Sequence, residues 1–407
     1  MKKLVFCVLS VCLLFASQAN QASGQTAVRP KCQVVDLTKA VEDRNVIDLN
    51  SADIPNPLAE YIDDVKIIPL EVTDESLIRF IYRVLSIDDK IIIYDTTPEG
   101  TPIKVFDKSG KYLYSIHRGK GPHEVEWAPA VAIDYTNKQL LFAHPRGIMY
   151  TTLDGKFIKE EKINFDFREF AVMDDKLVFR TDYSKNEKLG KYSGKSFFVT
   201  DRKYKPIYSA VPFYEKTRWS TEASIVKTSE GVAFTKVFND TIYCYNGKIV
   251  YPMYNLMYSK SLLKGKSPDT VSDLEYQFNI SDRFCYMGFF QEASNTQFFR
   301  LTNMNSDKGV LLICAFRDKT SGKVIWTKEN RPVGPNYDKV KNVNSFVFGG
   351  YPNGVCGDYF VATLEYHLKQ QHLKCLKPFL KPEDLKKVQN MTEEDNPMLI
   401  LYKFKKF

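Results

Sequence analysis

Apolar and polar residues alternate along most of this 407-residue chain, in short runs separated by acidic or glycine-containing turns. The pattern is clearest at residues 103–113, where one alternating run ends at Asp107-Lys-Ser-Gly110 and a second run follows. Alternation with a period of two, interrupted by a tight turn, predicts a two-stranded antiparallel hairpin. The glycine-rich residues 118–124 come next, and we expect them to lead the chain into the following sheet.

Similar hairpins recur along the chain. Their turn residues are Asp107, Asp154, Asp201 and Asn246, which are spaced 45 to 47 residues apart. A further hairpin with a longer turn lies at residues 310–326. A fixed period in this range is typical of the four-stranded blades of a β-propeller.

A second pair of apolar runs precedes each hairpin, and six such pairs begin at residues 84, 131, 170, 225, 286 and 346. We therefore predict an all-β fold, a six-bladed β-propeller of four-stranded antiparallel blades. The terminal run 398–404 and the early run 65–72 have no hairpin partners, so we expect these N- and C-terminal strands to share the closing blade. This places the propeller at residues 63–407. Residues 381–389 predict a short helix with Pro382 in its first turn.

The first 24 residues have the pattern of an export signal: Lys2 and Lys3, an apolar run at 4–16, and then small residues. We expect cleavage after Ala19 or Gly24, followed by a polar leader at 25–62. Cys12 lies inside the apolar run and Cys32 is remote from it, so a soluble periplasmic or secreted protein is favoured over a lipoprotein. No other run reaches about 18 apolar residues, so no transmembrane segment is predicted.

The net charge of +8 is spread along the chain, whereas a nucleic-acid-binding protein has a concentrated basic stripe. We therefore predict no nucleic-acid partner, and we expect a monomer. Six cysteines follow the signal segment, without a CxxC motif or tight framework spacing. Cys356 and Cys375 flank one predicted hairpin and are the candidate pair for a disulfide.

No recognised catalytic or metal-binding motif is present. The five histidines are scattered, and His367 and His372 lie five residues apart on a predicted turn, which is not a metal-ligand spacing. The chain has no GxSxG, HExxH, P-loop or EF-hand pattern. We predict no metal and no cofactor, and Ca²⁺, which propeller enzymes often bind in their channel, has no motif here.

The loops expected on one face of the propeller carry arginine and aromatic side chains. This combination suits anionic or sugar ligands, through bidentate hydrogen bonds and ring stacking. The alternative is that each arginine pairs with a carboxylate of the neighbouring blade. The candidate ligand-binding residues are Arg118, His123, Arg168, Arg218, Trp219, Asp282 and Arg283 between blades, and His144 and Arg146 within a blade.

Three segments resemble motifs of a known protein family. They are residues 65–71 (VKIIPLE), residues 106–113 with GKGPHE at 119–124, and residues 396–403 (NPMLILYK). Through them the chain resembles the exported six-bladed β-propeller proteins of gut-type Bacteroidetes, which are related to NHL-repeat propellers. His123 stands where that family usually has glycine. The resemblance implies a propeller fold and export from the cytoplasm, and it implies no established reaction.

These features are compatible with three functions. The favoured one is an exported, non-enzymatic module that binds a glycan, an anionic small molecule, a peptide or a partner protein at the loop face. A hydrolase or lyase acting on a sugar or lactone would need a channel-facing cluster of three or more carboxylates and amides. A structural subunit of an envelope assembly would need a large exposed apolar patch.

Overall fold

The computed structural model describes residues 30–38, 57–95, 103–116, 124–125, 130–144, 147–181, 184–212, 225–264, 271–305, 309–331 and 352–407. These residues form an all-β architecture with few helices. The strands, in chain order, are β1 (Gln33–Asp36), β2 (Ile62–Ile68), β3 (Ile81–Ile87), β4 (Lys90–Asp95), β5 (Ile103–Asp107), β6 (Tyr112–Ile116), β7 (Val131–Asp134), β8 (Gln139–His144), β9 (Gly147–Thr152), β10 (Phe157–Glu161), β11 (Glu169–Met173), β12 (Lys176–Arg180), β13 (Lys195–Asp201), β14 (Pro206–Pro212), β15 (Ile225–Thr228), β16 (Gly231–Phe234), β17 (Thr241–Tyr245), β18 (Val250–Met257), β19 (Cys285–Glu292), β20 (Thr296–Asn305), β21 (Gly309–Asp318), β22 (Val324–Arg331), β23 (Gly354–Cys356), β24 (Tyr359–Leu364) and β25 (Met398–Phe404).

The described helices are short. They are α1 (Val271–Ile280), α2 (Lys369–Leu376) and α3 (Pro382–Asn390), with 3-10 segments at Pro57–Tyr61, Glu187–Tyr192 and Tyr366–Leu368. The predicted helix at 381–389 is confirmed as α3, with Pro382 in its first turn. Proline is favoured there because its missing N–H would have no partner within the helix.

Most strands belong to four-stranded antiparallel sheets in which consecutive strands are neighbours. Strands β7–β10, β11–β14 and β19–β22 each form one such sheet. Strands β15–β18 form another, and β1 adds to it in parallel, with Gln33 opposite Tyr254. Strand β1 lies in residues 25–62, for which the sequence predicts a polar leader and no strand.

An eight-stranded sheet combines two four-stranded units, β3–β6 and β23–β24–β25–β2. The units meet where β23 and β3 bridge in parallel at Gly354 and Val84. A Cβ on Gly354 would lie 1.9 Å from the carbonyl oxygen of Val84, so a larger residue would force the two strands apart.

The chain ends meet in this sheet as predicted. Strand β2 pairs antiparallel with β25, with Val65 opposite Tyr402 and Ile67 opposite Ile400. The early and terminal runs of the sequence therefore complete one unit together, although they lie at opposite ends of the described chain.

Apolar side chains fill the spaces between successive units, and each space holds a cluster with contributions from both sides. The pairs that share a cluster are Ile92 with Ile133, Leu141 with Phe170, Phe197 with Phe234, Tyr254 with Phe299, Phe316 with Phe360, and Leu399 with Ile93. The core is thus divided among the interfaces between sheets. Phe197 and Phe234 illustrate the contact, with stacked rings whose centroids are 4.1 Å apart.

The candidate disulfide is absent: Cys356 and Cys375 are not joined. Cys356 packs against the cluster that contains Ile93 and Leu399. Cys375 lies on α2 and packs against a different cluster. The two cysteines therefore lie in different parts of the core, because Cys375 is on the helix that follows β24.

Candidate functional site

An open cavity of about 600 Å³ is bounded by the first strands of the four-stranded units. Its lining comes from β3, β7, β11, β15, β19 and β23, together with the turns that follow several of them. These turns supply the rim, to which Asp88, Tyr135, Ser229, Ser294 and Gly357 belong. The volume falls within the range of about 300–1,000 Å³ that is typical of small-molecule pockets.

Lys227 and Tyr135 meet at this cavity although they belong to different sheets. Lys227 is on β15, and its Nζ lies 3.9 Å from the ring centroid of Tyr135, just after β7. Both residues line the cavity, and Tyr135 is 40% exposed. Among the described residues, no carboxylate oxygen lies within 4 Å of this ammonium group. Within the described part of the chain, the contact that the structure gives this ammonium group is therefore the face of an aromatic ring.

Arg83, on the cavity wall contributed by β3, adds a second cation. Its Nη1 lies 3.8 Å from Oε1 of Glu169, the first residue of β11, and Nη2 of Arg180 lies 3.4 Å from Oε2 of the same carboxylate. Burial raises the pKa of the Tyr135 phenol, and the charge of Arg83 opposes that rise. Positive charge therefore acts on Tyr135 both from Lys227 and from Arg83.

Glu292 forms a neutralised part of the rim. Its Oε1 accepts hydrogen bonds from the N–H and the hydroxyl of Ser229, both at 3.0 Å, and Lys319 Nζ lies 3.1 Å away. Gln297 donates to its Oε2 at 2.8 Å. Burial alone would raise the pKa of this carboxyl group, but these donors outweigh it and the pKa is lowered. Glu292 is therefore ionised at neutral pH and already satisfied.

Four of the predicted site residues are described, and they lie away from the cavity. Arg168 and Asp282 are exposed, and they come shortly before the first strands β11 and β19. Arg283 donates from Nη1 to the carbonyl oxygen of Ser261 at 3.2 Å, which ties it to the segment after β18. None of these three residues lines the cavity.

His144, the fourth, is buried at the end of β8, and its Nε2 lies 3.7 Å from Oε1 of Glu160. In each antiparallel unit, the second strand ends beside the start of the first strand. His144 therefore lies at the end of its sheet where the first strand begins. The cavity rim is built from turns at the other end. Arg118, His123, Arg146, Arg218 and Trp219 lie outside the described residues.

Sequence reasoning missed the residues that line the cavity, namely Arg83, Tyr135, Lys227, Glu292 and Lys319. A usable signal was present at Lys227, which interrupts the apolar start of β15 after Ile225 and Val226. A charged residue in a strand expected to be innermost either has a carboxylate partner or faces a polar space. Tyr135 gave no comparable signal, because a tyrosine in a turn is common.

Within the described ranges, no three His, Cys, Asp or Glu side chains are grouped closely enough to hold a metal ion. A separate observation is that no helix in those ranges is long and apolar enough to span a membrane.

Four-stranded antiparallel sheets that present their first strands to a shared cavity define an all-β protein of the β-propeller-like class. The chain belongs to the family DUF4934, a domain of unknown function, whose sequence profile matches residues 35–403. No curated protein matches the sequence.

A solved structure agrees on the fold. The chain aligns with the inferred exported protein BF0058 from Bacteroides fragilis NCTC 9343 at a TM-score of 0.67 and 19% identity, covering 87% of this chain and 98% of that chain. BamB from Moraxella catarrhalis aligns at a TM-score of 0.35 and 10% identity over 66% of this chain and 79% of that chain. The Pan2 WD40 domain of Neurospora crassa gives a TM-score of 0.33 and 11% identity, over 61% of this chain and 65% of that chain.

Proposed function

We propose that this chain is an exported, non-enzymatic binding module, in which six four-stranded blades close into a propeller and a small ligand occupies the central cavity. The signal-like residues 1–24 support export to the periplasm or the medium. The similar structure of BF0058 is described as that of an inferred exported protein, which agrees with this location.

Closure is supported by the order of the interfaces. Each unit shares an apolar cluster with the next one, and the unit of β23, β24, β25 and β2 shares a cluster with the unit of β3–β6. The last unit therefore packs on the first as well as on its predecessor. A propeller buries both faces of every sheet in this way.

The observation that carries the binding proposal is the cavity with Lys227, whose ammonium group has no carboxylate within 4 Å among the described residues. The first strands of all six units contribute to its lining. Lys227 and Tyr135 supply a positive charge and an aromatic face within it. These are the few polar and aromatic groups that a ligand pocket needs to orient a small molecule.

A thermal-shift screen tests this proposal, because a ligand that binds the folded state raises its melting temperature. The probes are neutral sugars, acidic sugars, short peptides and Ca²⁺. The informative variant is Ser294→Trp, which places a large side chain at an exposed rim position. Asn295→Trp is the matched control, since this neighbouring exposed residue does not line the cavity.

We expect at least one probe to stabilise the wild type and Asn295→Trp but not Ser294→Trp, with the probe recovered unchanged by mass spectrometry. A probe that stabilises all three proteins equally would place the ligand elsewhere. Loss of the shift in Arg168→Ala or Arg283→Ala alone would move the site to the loop face predicted from the sequence. Chemical conversion of the probe would make the protein an enzyme.

A further inference from the structure

We infer that the ligand of the cavity is an acidic sugar, whose carboxylate pairs with Lys227 and whose ring packs against Tyr135. This inference rests on the proposed function, since it names the ligand class of the same cavity. It follows from the balance of charge, from the arrangement of the lysine over the ring, and from the polar groups of the rim.

The residues that line the cavity include three cations, Arg83, Lys227 and Lys319, and two carboxylates, Asp88 and Glu292. Arg83 lies beside Glu169, Lys319 lies beside Glu292, and Asp88 is 2.8 Å from Lys138 Nζ. Lys227 has the ring of Tyr135 and no acidic neighbour among these residues. A ligand with a single negative charge would complete the set, whereas a neutral ligand would leave the ammonium as it is.

The contact between Lys227 and Tyr135 is of a kind that a carboxylate can replace. An ammonium over an aromatic face is held more weakly than one in a charge-assisted hydrogen bond to a carboxylate. A bound carboxylate would therefore draw Lys227 Nζ away from the ring. The same movement would uncover the face of Tyr135, which then becomes a flat apolar surface for a second part of the ligand.

The rim is suited to a ligand that carries hydroxyl groups. The hydroxyl oxygen of Ser229 lies 3.3 Å from Lys319 Nζ and beside Glu292, so donors and acceptors stand together there. Thr228 and Ser294 also line the cavity. A cavity of about 600 Å³ is much larger than a simple anion needs, which favours a sugar ring bearing the carboxylate.

Isothermal titration calorimetry with three probes separates these contributions. Glucuronate has both the ring and the charge, glucose has the ring alone, and acetate has the charge alone. The variants are Lys227→Gln, Tyr135→Ala and, as a matched control, Lys159→Gln. Lys159 also lies over a tyrosine ring, with Nζ 4.5 Å from the centroid of Tyr150, but it is on β10 and outside the cavity lining.

We expect the wild type to bind glucuronate at least tenfold more tightly than glucose or acetate. Lys227→Gln should weaken glucuronate binding at least tenfold and should not weaken glucose binding. Tyr135→Ala should also weaken glucuronate binding, because the sugar ring packs against the tyrosine face that the carboxylate uncovers, and Lys159→Gln should behave as the wild type. Circular dichroism spectra and melting temperatures verify that each variant is folded.

Equal affinity for glucuronate and glucose, acetate binding as tight as glucuronate, or an unaffected Lys227→Gln variant would overturn the inference. Failure of the inference and failure of the proposed function give different results. If glucuronate does not bind but another probe stabilises the protein in a manner abolished by Ser294→Trp, the ligand class is wrong and the cavity site stands. If no probe depends on Ser294, the proposed function itself fails.

Discussion

The turn between β5 and β6 leaves no room for a side chain at Gly110. Its φ is +91°, and a Cβ there would lie 1.8 Å from the carbonyl oxygen of Pro69. The N–H of Glu71 also donates to the carbonyl oxygen of Gly110 at 2.8 Å, so the turn is held against the chain that follows β2. The glycine therefore serves both the turn and this close approach.

We expect Gly110→Ala to lower the free energy of unfolding by at least about 2 kcal/mol, since backbone strain and a steric clash act together. Gly357→Ala is the control, because Gly357 has a φ of +59° and a Cβ at this position would meet no atom within 4 Å beyond its chain neighbours. Strain alone should cost about 1 kcal/mol there. Urea unfolding measures both, and equal losses would contradict the role of the close approach.

Side chains close the hairpin turns by a shared arrangement. Asp107 Oδ1 accepts hydrogen bonds from the N–H groups two and four residues later, and Asp201 Oδ1 does the same. In the hairpin between them, the hydroxyl of Thr152 takes this role, although Asp154 maintains the sequence period. The period predicted where the turn lies. It did not predict which residue closes it, because threonine and aspartate can both accept these bonds.

His372 is buried on α2, where the sequence had predicted a turn. Burial lowers its pKa to about 4, and the charge of nearby His367 acts in the same direction. The folded state therefore takes up the proton at a lower pH than the unfolded state, whose histidine titrates near pH 6.5. The stability that this difference provides is present above about pH 6.5 and is lost as the pH falls toward 4.

We expect the wild type to lose about 2–3 kcal/mol more than His372→Leu when urea unfolding is compared at pH 7 and pH 4.5. His367→Gln is the control, since the side chain of His367 is 68% exposed. It should retain nearly the pH dependence of the wild type. The same pH dependence in wild type and His372→Leu would show that this histidine does not contribute.

At the scale of elements, the pairing of β2 with β25 joins the two ends of the described chain. Ile67 and Ile400 are Cα partners in this pairing, they are 2% and 0% exposed, and they share one apolar cluster. Burial of such side chains contributes much of the stability of a sheet interface. Substitutions of Ile67 and Ile400 should therefore test whether β2 and β25 are paired.

We expect Ile67→Ala and Ile400→Ala each to lower the free energy of unfolding by about 2–5 kcal/mol. The double variant should deviate from additivity by at least about 0.5 kcal/mol, because the residues are in contact. Val34→Ala on β1 is the control, at 58% exposure, and should change stability by no more than about 0.5 kcal/mol. Strict additivity in chemical denaturation would contradict the pairing.

Elements were predictable from the sequence where the pattern was local. The hairpins and α3 are set by alternation, turn residues and Pro382, all within a few neighbouring positions. Strand β1 was missed because four residues give little periodicity and its partner β18 is distant in the sequence. Helix α1 was missed as well, although Thr270 and Asp273 have the spacing of a capping box at its start.

At the scale of the whole molecule, the candidate site depends on residues that only the assembly of sheets brings together. Lys227 and Tyr135 come from units separated by the sheet of β11–β14. Arg83 and Glu169 likewise come from units separated by the sheet of β7–β10. Neither contact could be predicted from a motif, since no local sequence pattern marks either partner as a site residue. The sequence could thus predict the sheets, but the described site residues that it gave lie at the end of the sheets opposite the cavity rim.

In the proposed complex, six blades surround a cavity that binds an acidic sugar. A crystal structure of the chain soaked with glucuronate tests it most directly. We expect a closed ring of six four-stranded sheets, with the carboxylate at Lys227 Nζ and the sugar ring on the face of Tyr135. Glucuronate bound beside Arg168 or Arg283, or first strands that do not surround a common cavity, would contradict it.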